Sequence, residues 1–203
     1  PDDEDPFPND GSAWIDTDGD GIADYTGPPP FSGDFESGSL GGGWTTPAGG
    51  NAPWSVVAST ANLGGMSSAQ AGTIVHNQQS KLEIVVNAVN GTGSFDYDVS
   101  SEGNWDYLVF CIDNSAGCLR TTGYTARWSG LTSGTYTFNV VAGYHTYTWV
   151  YWKDSSVNGN ADTAWIDDVD IPVPSGITNL DPDDDNDGTP DGDDLDPLDP
   201  CVG

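Results

Sequence analysis

From residue 31 to residue 174 an apolar period of two recurs throughout, and this narrows the possible folds more than any other feature of the chain. "KLEIVVNAV" places Leu82, Ile84, Val86 and Ala88 on one face of a strand. "GSFDYDVSS" sends Phe95, Tyr97 and Val99 to one side and Asp96 and Asp98 to the other, and "GTYTFNVVA" alternates Tyr136, Phe138 and Val140 with Thr137, Asn139 and Val141. No helical period persists for three turns. About ten short strands with turn residues between them predict an all-β domain, a two-sheet antiparallel β-sandwich of jelly-roll type. A closed barrel fits the periodicity almost as well.

The flanks are of different material. Residues 1–30 are Asp, Pro and Gly with one apolar pair, Trp14 and Ile15, and end in "GPPP", which forbids a helix and marks a boundary. Residues 175–203 return to Asp, Pro and Gly with little apolar beyond Leu180, Leu195 and Leu198. Such a segment cannot offset its chain entropy by burial and is expected to order only around a ligand. The chain thus reads as three parts, 1–30, 31–174 and 175–203. Of its 32 acids, nine fall in the first part and ten in the last, while all four bases (Lys81, Arg120, Arg127, Lys153) lie between. Anionic ends without clustered Lys or Arg make nucleic acid and anionic membrane poor partners and multivalent cations the natural counterpart. No run of about 18 apolar residues is present to insert into a bilayer. Beginning at Pro1, the sequence reads as a mature form or a fragment.

The acidic ends carry a repeated spacing. In "DTDGDGIAD" the carboxylates of Asp16, Asp18 and Asp20 occupy positions 1, 3 and 5, Gly21 the turn, the carbonyl of Ile22 position 7, and Asp24 position 9. Hard oxygen donors at alternate positions, then a glycine and a backbone carbonyl, are the order in which a loop wraps Ca²⁺. "DDDNDGTPD" repeats it with Asp183, Asp185, Asp187, the carbonyl of Thr189 and Asp191; Asp193, Asp194, Asp196 and Asp199 follow with oxygen for a further ion. Mg²⁺, which demands a tight octahedron, suits such a wrap less well. Position 12, where an EF-hand needs a bidentate Glu, is Gly27 in one loop and Asp194 in the other, and the Pro-rich flanks disfavour helices. The plain alternative is a solvated acidic linker that holds ions diffusely. Mutual repulsion among three close aspartates, roughly a kcal/mol per pair or more at intermediate dielectric, argues for a specifically bound cation.

Three cysteines make an odd count. Cys111 and Cys118 bracket a loop short enough for a hairpin-closing disulfide, which implies an oxidising, extracytoplasmic setting; the alternative for Cys111 is a small buried hydrophobe in a strand. Cys201 sits alone in the tail.

The tail "DPDDDNDGTPDGDDLDPLDPC" resembles thrombospondin type 3 repeats, units built around Ca²⁺ with intermittent cysteines, and "DTDGDGIAD" resembles one half-unit. The resemblance implies calcium-rigidified linkers between extracellular domains. It also implies a partner for Cys201 in a continuation of the chain or in another chain. "GDFESGSLGGGWTTPAGGNAPW", "SSEGNWDYLVFCID" and "DTAWIDDVDIP" resemble bacterial surface jelly rolls related to the cleaved-adhesin domains of gingipains, to MAM-like domains and, more distantly, to carbohydrate-binding modules. In such modules an acid near the first strand and one before the last often share a structural Ca²⁺; by position these are Asp34 or Glu36 and Asp167 or Asp168. A local argument agrees, since Ile166 and Val169 are three apart and a bulge between them would aim a carboxylate sideways. Two exposed aspartates at a sheet rim are the plain alternative.

In "YHTYTWVYWKD" one face carries Tyr144, Thr146, Thr148, Val150 and Trp152 and the other His145, Tyr147, Trp149 and Tyr151. Tyr147, Trp149 and Tyr151, with Trp128 and Arg127, are the candidates for stacking against a glycan on an open sheet face; the alternative is a strand buried on both faces or packed beneath a loop. Catalysis has thin support: neither His76 nor His145 stands beside an apparent nucleophile, and nothing marks Glu83 and Asp98 as a glycosidase pair. The "NGT" at Asn90 is read as a hairpin turn rather than a glycan site. The expectation is a non-enzymatic, extracellular, calcium-binding module for adhesion or end-to-end assembly with neighbouring domains or copies, the alternative being a carbohydrate-binding module.

Overall fold

A computed structural model describes residues 13–15, 25–26, 33–41, 43–173 and 178–179. The chain divides into two compact units, one made of Pro1–Phe31 with Pro174–Gly203 and the other of Ser32–Val173. In the first, β1 (Ala13–Ile15), β2 (Tyr25–Thr26) and β12 (Thr178–Asn179) form a small antiparallel sheet with β2 in the middle.

The second unit is a β-sandwich with no helix among its described residues. Its strands are β3 (Ser55–Ala58), β4 (Ser67–Gln70), β5 (Gln79–Ala88), β6 (Gly91–Ser100), β7 (Tyr107–Ile112), β8 (Ala126–Trp128), β9 (Leu131–Val140), β10 (Gly143–Trp152) and β11 (Thr163–Asp170). A four-stranded sheet runs β5-β10-β7-β8 and a five-stranded sheet β3-β4-β11-β6-β9, all antiparallel, as in a jelly roll.

Alternation decides which residues meet between the sheets. Leu82, Ile84, Val86 and Ala88 of β5 are buried on one side, as are Phe95 and Val99 of β6 and Phe138 and Val140 of β9. The centre is an aromatic layer in which Phe95 of one sheet packs against Phe110 (4.9 Å) and Trp149 (5.3 Å) of the other. Edge-on and tilted ring contacts of this kind add about 0.5–1.5 kcal/mol each beyond area burial.

The candidate glycan face is corrected here. Tyr147, Trp149 and Tyr151 are 1%, 0% and 0% exposed, in the inter-sheet layer, and no sugar ring can reach them. Trp128 lies at the margin of that layer, 4.4 Å from the ring of Tyr97 and 5.1 Å from Tyr136. The opposite face of β10 is also covered. Cys111 and Cys118 are disulfide-bonded, and they pack with Val109 and Val150 against Tyr107 and Trp152. Trp152 Nε1 donates to the Cys118 carbonyl (3.1 Å) and Lys81 Nζ to that of Ser115 (2.7 Å). Arg127 donates to the Arg120 carbonyl and lies over the rings of Tyr107 and Tyr124. From Tyr147 to Tyr151 the central strand is therefore buried on both faces, whereas Tyr144 near its start is exposed.

The turn at Asn90 is a second correction. β5 and β6, which it joins, belong to different sheets, so the connection is a corner rather than a hairpin. Both strands turn apolar faces to the same core, which requires the chain to cross from one sheet to the other. Asn90 Oδ1 accepts from Ala142 N (3.0 Å), tying this corner to the one between β9 and β10.

At the end of β10 the Lys153 ammonium is fully enclosed. It donates to Asp106 Oδ2 (3.3 Å) and to Asp162, whose Oδ1 also accepts from Tyr151 Oη (3.2 Å), while Asp106 Oδ1 accepts from Asp154 N (2.7 Å). Removing one partner of a buried pair strands the other charge. Lys153→Met is accordingly expected to destabilise the sandwich by about 3–5 kcal/mol in urea unfolding, and a loss under about 1 kcal/mol would show that Asp106 needs no buried cation.

Candidate metal centre

The site grows from a break in β11. Asp167 pairs with Asp96 in register, but the next partner of β6, Ser94, faces Asp170, so the intervening residues bulge. Asp168 takes a φ of 46°, a left-handed conformation that its short polar side chain tolerates better than most. Past the bulge Val169 turns inward, and its N–H donates to the Gly33 carbonyl (3.0 Å). A Cβ at Gly33 would lie 2.0 Å from the Val169 carbonyl oxygen, so only glycine permits this approach.

The start of the sandwich is anchored there by Phe35, buried against Trp44 with ring centroids 5.3 Å apart. With Phe35 inward, Asp34 and Glu36 on either side face outward, and Asp34 Oδ1 accepts from Glu36 N (3.2 Å). Glu36 Oε1 accepts from Met66 N (2.7 Å) and Ser67 N (3.2 Å), drawing residues 59–66 over the site. Asp98 holds that loop at another point, accepting from Thr60 Oγ1 (2.7 Å) and Asn62 Nδ2 (3.1 Å).

Beneath it Asp167 is 1% exposed. Its Oδ1 accepts from Asp168 N (2.9 Å), but Oδ2 is buried with no hydrogen-bond partner. Ser68 falls opposite it, one residue beyond the Ala69–Ile166 pair, and its buried hydroxyl also lacks a partner. Burial, then the charges of Asp168, Glu36 and Asp96, raise the Asp167 carboxyl to about 7, against a hydrogen bond from Asp168 N–H that favours the anion. Burial and the carboxylates of Asp96, Asp34 and Glu36 push Asp168 upward too.

The predicted Asp34, Glu36, Asp167 and Asp168 thus feel one another's charge at the seam between the first and last segments of the sandwich. Sequence reasoning missed Asp96 and Ser68: the outward face of Asp96 was legible, the adjacency of β6 and β4 to β11 was not. The chain's bases are engaged elsewhere, Lys81, Arg127 and Lys153 as described and Arg120 on the Trp105 carbonyl (2.9 Å). A buried oxygen without a donor thus stands near several carboxylates with no ammonium or guanidinium beside it, although no three of these acids bring their oxygens within 4.8 Å of one another.

A tighter acidic group lies at the end of β10. Among the described residues, Glu102, Asp106 and Asp154 are the one trio of acids whose ligand oxygens all come within 4.8 Å of one another. That group has the Lys153 cation beside it. Glu83 and Asp98 are outer-face residues of different sheets, Glu83 accepting from Thr148 Oγ1 (3.1 Å), so they cannot flank one cleft. His145 Nδ1 lies 2.6 Å from Asp113 Oδ2. The loop ligands Asp16, Asp18, Asp20, Ile22, Asp24, Asp183, Asp185, Asp187, Thr189, Asp191, Asp193, Asp194 and Asp196 lie outside the described residues.

No protein-family model and no curated protein matches the sequence. Among solved structures, the K3 cleaved adhesin domain of Lys-gingipain from Porphyromonas gingivalis is similar at 14% identity over 70% of this chain and 98% of that one, with a TM-score of 0.50. The secreted serine protease VesC from Vibrio cholerae aligns at 14% identity and a TM-score of 0.47 over 68% of this chain, which spans only 25% of that protein. The CBM22-1 xylan-binding domain from Paenibacillus barcinonensis aligns at 15% identity over 70% of this chain and 96% of that one, with a TM-score of 0.41. At these identities the likeness to the adhesin domain establishes the fold alone.

The Asp167 geometry has a pH signature. In chelator the folded chain keeps the Asp167 proton up to about pH 7, whereas the unfolded chain releases it near 3.8, so this group favours folding at low pH and that contribution is lost as pH rises through 7. Urea unfolding from pH 4 to 8 should give a downward slope in stability that Asp167→Asn reduces by about one proton. An identical slope in the variant would mean that Asp167 titrates normally in the fold.

Proposed function

We propose that the Ser32–Val173 sandwich is a non-catalytic adhesion module of an extracellular or cell-surface protein, locked by Ca²⁺ at the β11 bulge, and that the acidic ends carry further Ca²⁺ as joints to neighbouring domains or copies. The observation that carries this is the buried, partnerless Asp167 Oδ2 among Asp34, Glu36, Asp96 and Asp168. An ion there would tie the segment that opens the sandwich to the strand that ends it, the arrangement a module under tension from both sides needs. The Cys111–Cys118 disulfide supports an oxidising compartment. The adhesin fold likeness agrees with this use.

A second reading, carbohydrate binding, draws on a different residue from the buried triad. Trp165 is half-buried on the outer face of the five-stranded sheet, between Gln70 and Asp98 on the adjacent strands. An aromatic ring beside an amide is chemistry that holds a pyranose, while Asp98 is itself buried under the 59–66 loop. A glycan array in Ca²⁺ would support it by binding that Trp165→Ala abolishes; a blank array leaves the adhesion reading alone.

The calcium lock is tested by melting at pH 8. Ca²⁺ at 100 times its Kd adds about 2.7 kcal/mol, which for a chain of this size raises Tm by roughly 5–10 °C. Asp167→Asn should remove most of the part that belongs to the sandwich. A melting temperature indifferent to Ca²⁺ and chelator would defeat the reading.

A further inference from the structure

An open sheet ends in strands whose outer N–H and C=O groups can pair with any extended chain that comes near. In the sandwich these edges are β5 and β8 of the four-stranded sheet and β3 and β9 of the five-stranded one. Three of them are guarded. β3 and β8 are four and three residues long, and β8 carries Arg127. β5 carries Lys81 and Glu83, and Thr45 already bonds to Glu83 across it, N–H to carbonyl at 2.8 Å in both directions.

β9 has no such protection. It runs for ten residues, "LTSGTYTFNV", without a charge or a proline. Its pairing with β6 is unbroken from Ser100–Leu131 to Gly91–Val140, so no bulge turns the edge aside. The same ladder fixes which backbone groups are left over. Ser101 N–H donates to the Gly130 carbonyl (3.0 Å), one step before the strand begins. Bonded pairs alternate along an antiparallel ladder, so Thr132, Gly134, Tyr136, Phe138 and Val140 bond to β6. Leu131, Ser133, Thr135, Thr137 and Asn139 direct their N–H and C=O groups the other way, and all five are exposed. Among the described residues no other strand pairs with β9, and no loop hydrogen bond reaches the backbone of these five.

The occupant that fits this edge is β9 of a second copy. A twofold axis at Thr135 sets Leu131 against Asn139, Ser133 against Thr137 and Thr135 against itself, so each copy's outward donors meet the other's outward acceptors. The same register places hydroxyls opposite hydroxyls at Ser133, Thr135 and Thr137, a favourable cross-strand pairing. Charge selects this edge as well. Two chains of net charge -28 repel each other over most approaches, and β9 is a long edge that carries none of that charge. The neighbouring acids Asp96 and Asp98 lie one strand further in, on β6. Across the joint Asp96 and its counterpart are three strand spacings apart, about 14 Å, beyond the Debye length of about 8 Å at physiological ionic strength.

We propose that β9 is the edge through which two copies of this chain pair, antiparallel about Thr135, continuing two five-stranded sheets into one. The contact uses no metal ligand, so it stands or falls apart from the calcium reading. It gives an adhesion module a second way to meet its own kind, by backbone pairing within the Ser32–Val173 unit.

Amide exchange of the full chain in Ca²⁺ reads the contact residue by residue. When the protein is concentrated about a hundredfold, to roughly 200 µM, the amides of Ser133, Thr135 and Thr137 should slow at least tenfold, joining Gly134, Tyr136 and Phe138, which β6 already protects. Thr137→Pro removes an outward N–H and leaves the β6 ladder whole, so it should convert the dimer to monomer in sedimentation, whereas Thr137→Val keeps the N–H and the dimer. Thr135→Lys, which sets two ammoniums against each other at the axis, should also give monomer and serves if the proline variant does not fold. A dimer that survives Thr135→Lys and a folded Thr137→Pro sits on another surface and overturns the proposal. Free exchange of Ser133, Thr135 and Thr137 at the higher concentration overturns it too, and leaves the edge to a strand from a different protein.

Discussion

Uncompensated negative charge is the constraint on which the rest of this structure turns. The chain has four bases for 32 acids, and each of the four is committed to a carbonyl, a ring or the buried pair at Lys153. Nothing cationic remains for the carboxylates that converge at the β11 bulge. Burial and the neighbouring carboxylates raise Asp167 and Asp168 above the usual carboxylate range, so both hold their protons more tightly than a free aspartate does.

The convergence is produced by the core. Trp149 packs against Trp44 at 5.5 Å, and Trp44 against Phe35, so the aromatic layer extends into the segment that opens the sandwich. Phe35 is buried while Asp34 and Glu36 beside it are exposed. On the other side of the seam, the bulge lets Val169 drop into the core while Asp167 keeps its outward position under the 59–66 loop. Apolar burial, worth about 1.5–3 kcal/mol for each large side chain, thus sets carboxylates against each other.

Legibility followed locality. β5, β6 and β9 were readable because each presents one face to the core and one to solvent or a loop, so polarity alternates in the text. In β10 both faces carry aromatics, so alternation left a binding stripe and a doubly buried strand as alternatives, and burial is the one the structure bears out. Its outer face is covered by the disulfide loop, and the aromatics that looked like a binding stripe are the middle of the core. The bulge was readable because it interrupts the spacing between Ile166 and Val169, whereas Asp96, alternating normally, gave no sign that it stands beside Asp167.

What the sequence by itself determined is what depends on near neighbours: strands of period two, a defect at Asp167 and Asp168, a cysteine pair close enough to bond, and oxygen donors at alternate positions. Only the tertiary structure decided which faces are covered, that Glu83 and Asp98 look away from each other, that Trp165 rather than Trp149 reaches the surface, and that β2 takes strands from both ends of the chain. Alternation specifies that a residue points to one side of a strand. What lies on that side is fixed by strand order, and strand order is set by the packing of residues far apart in the sequence.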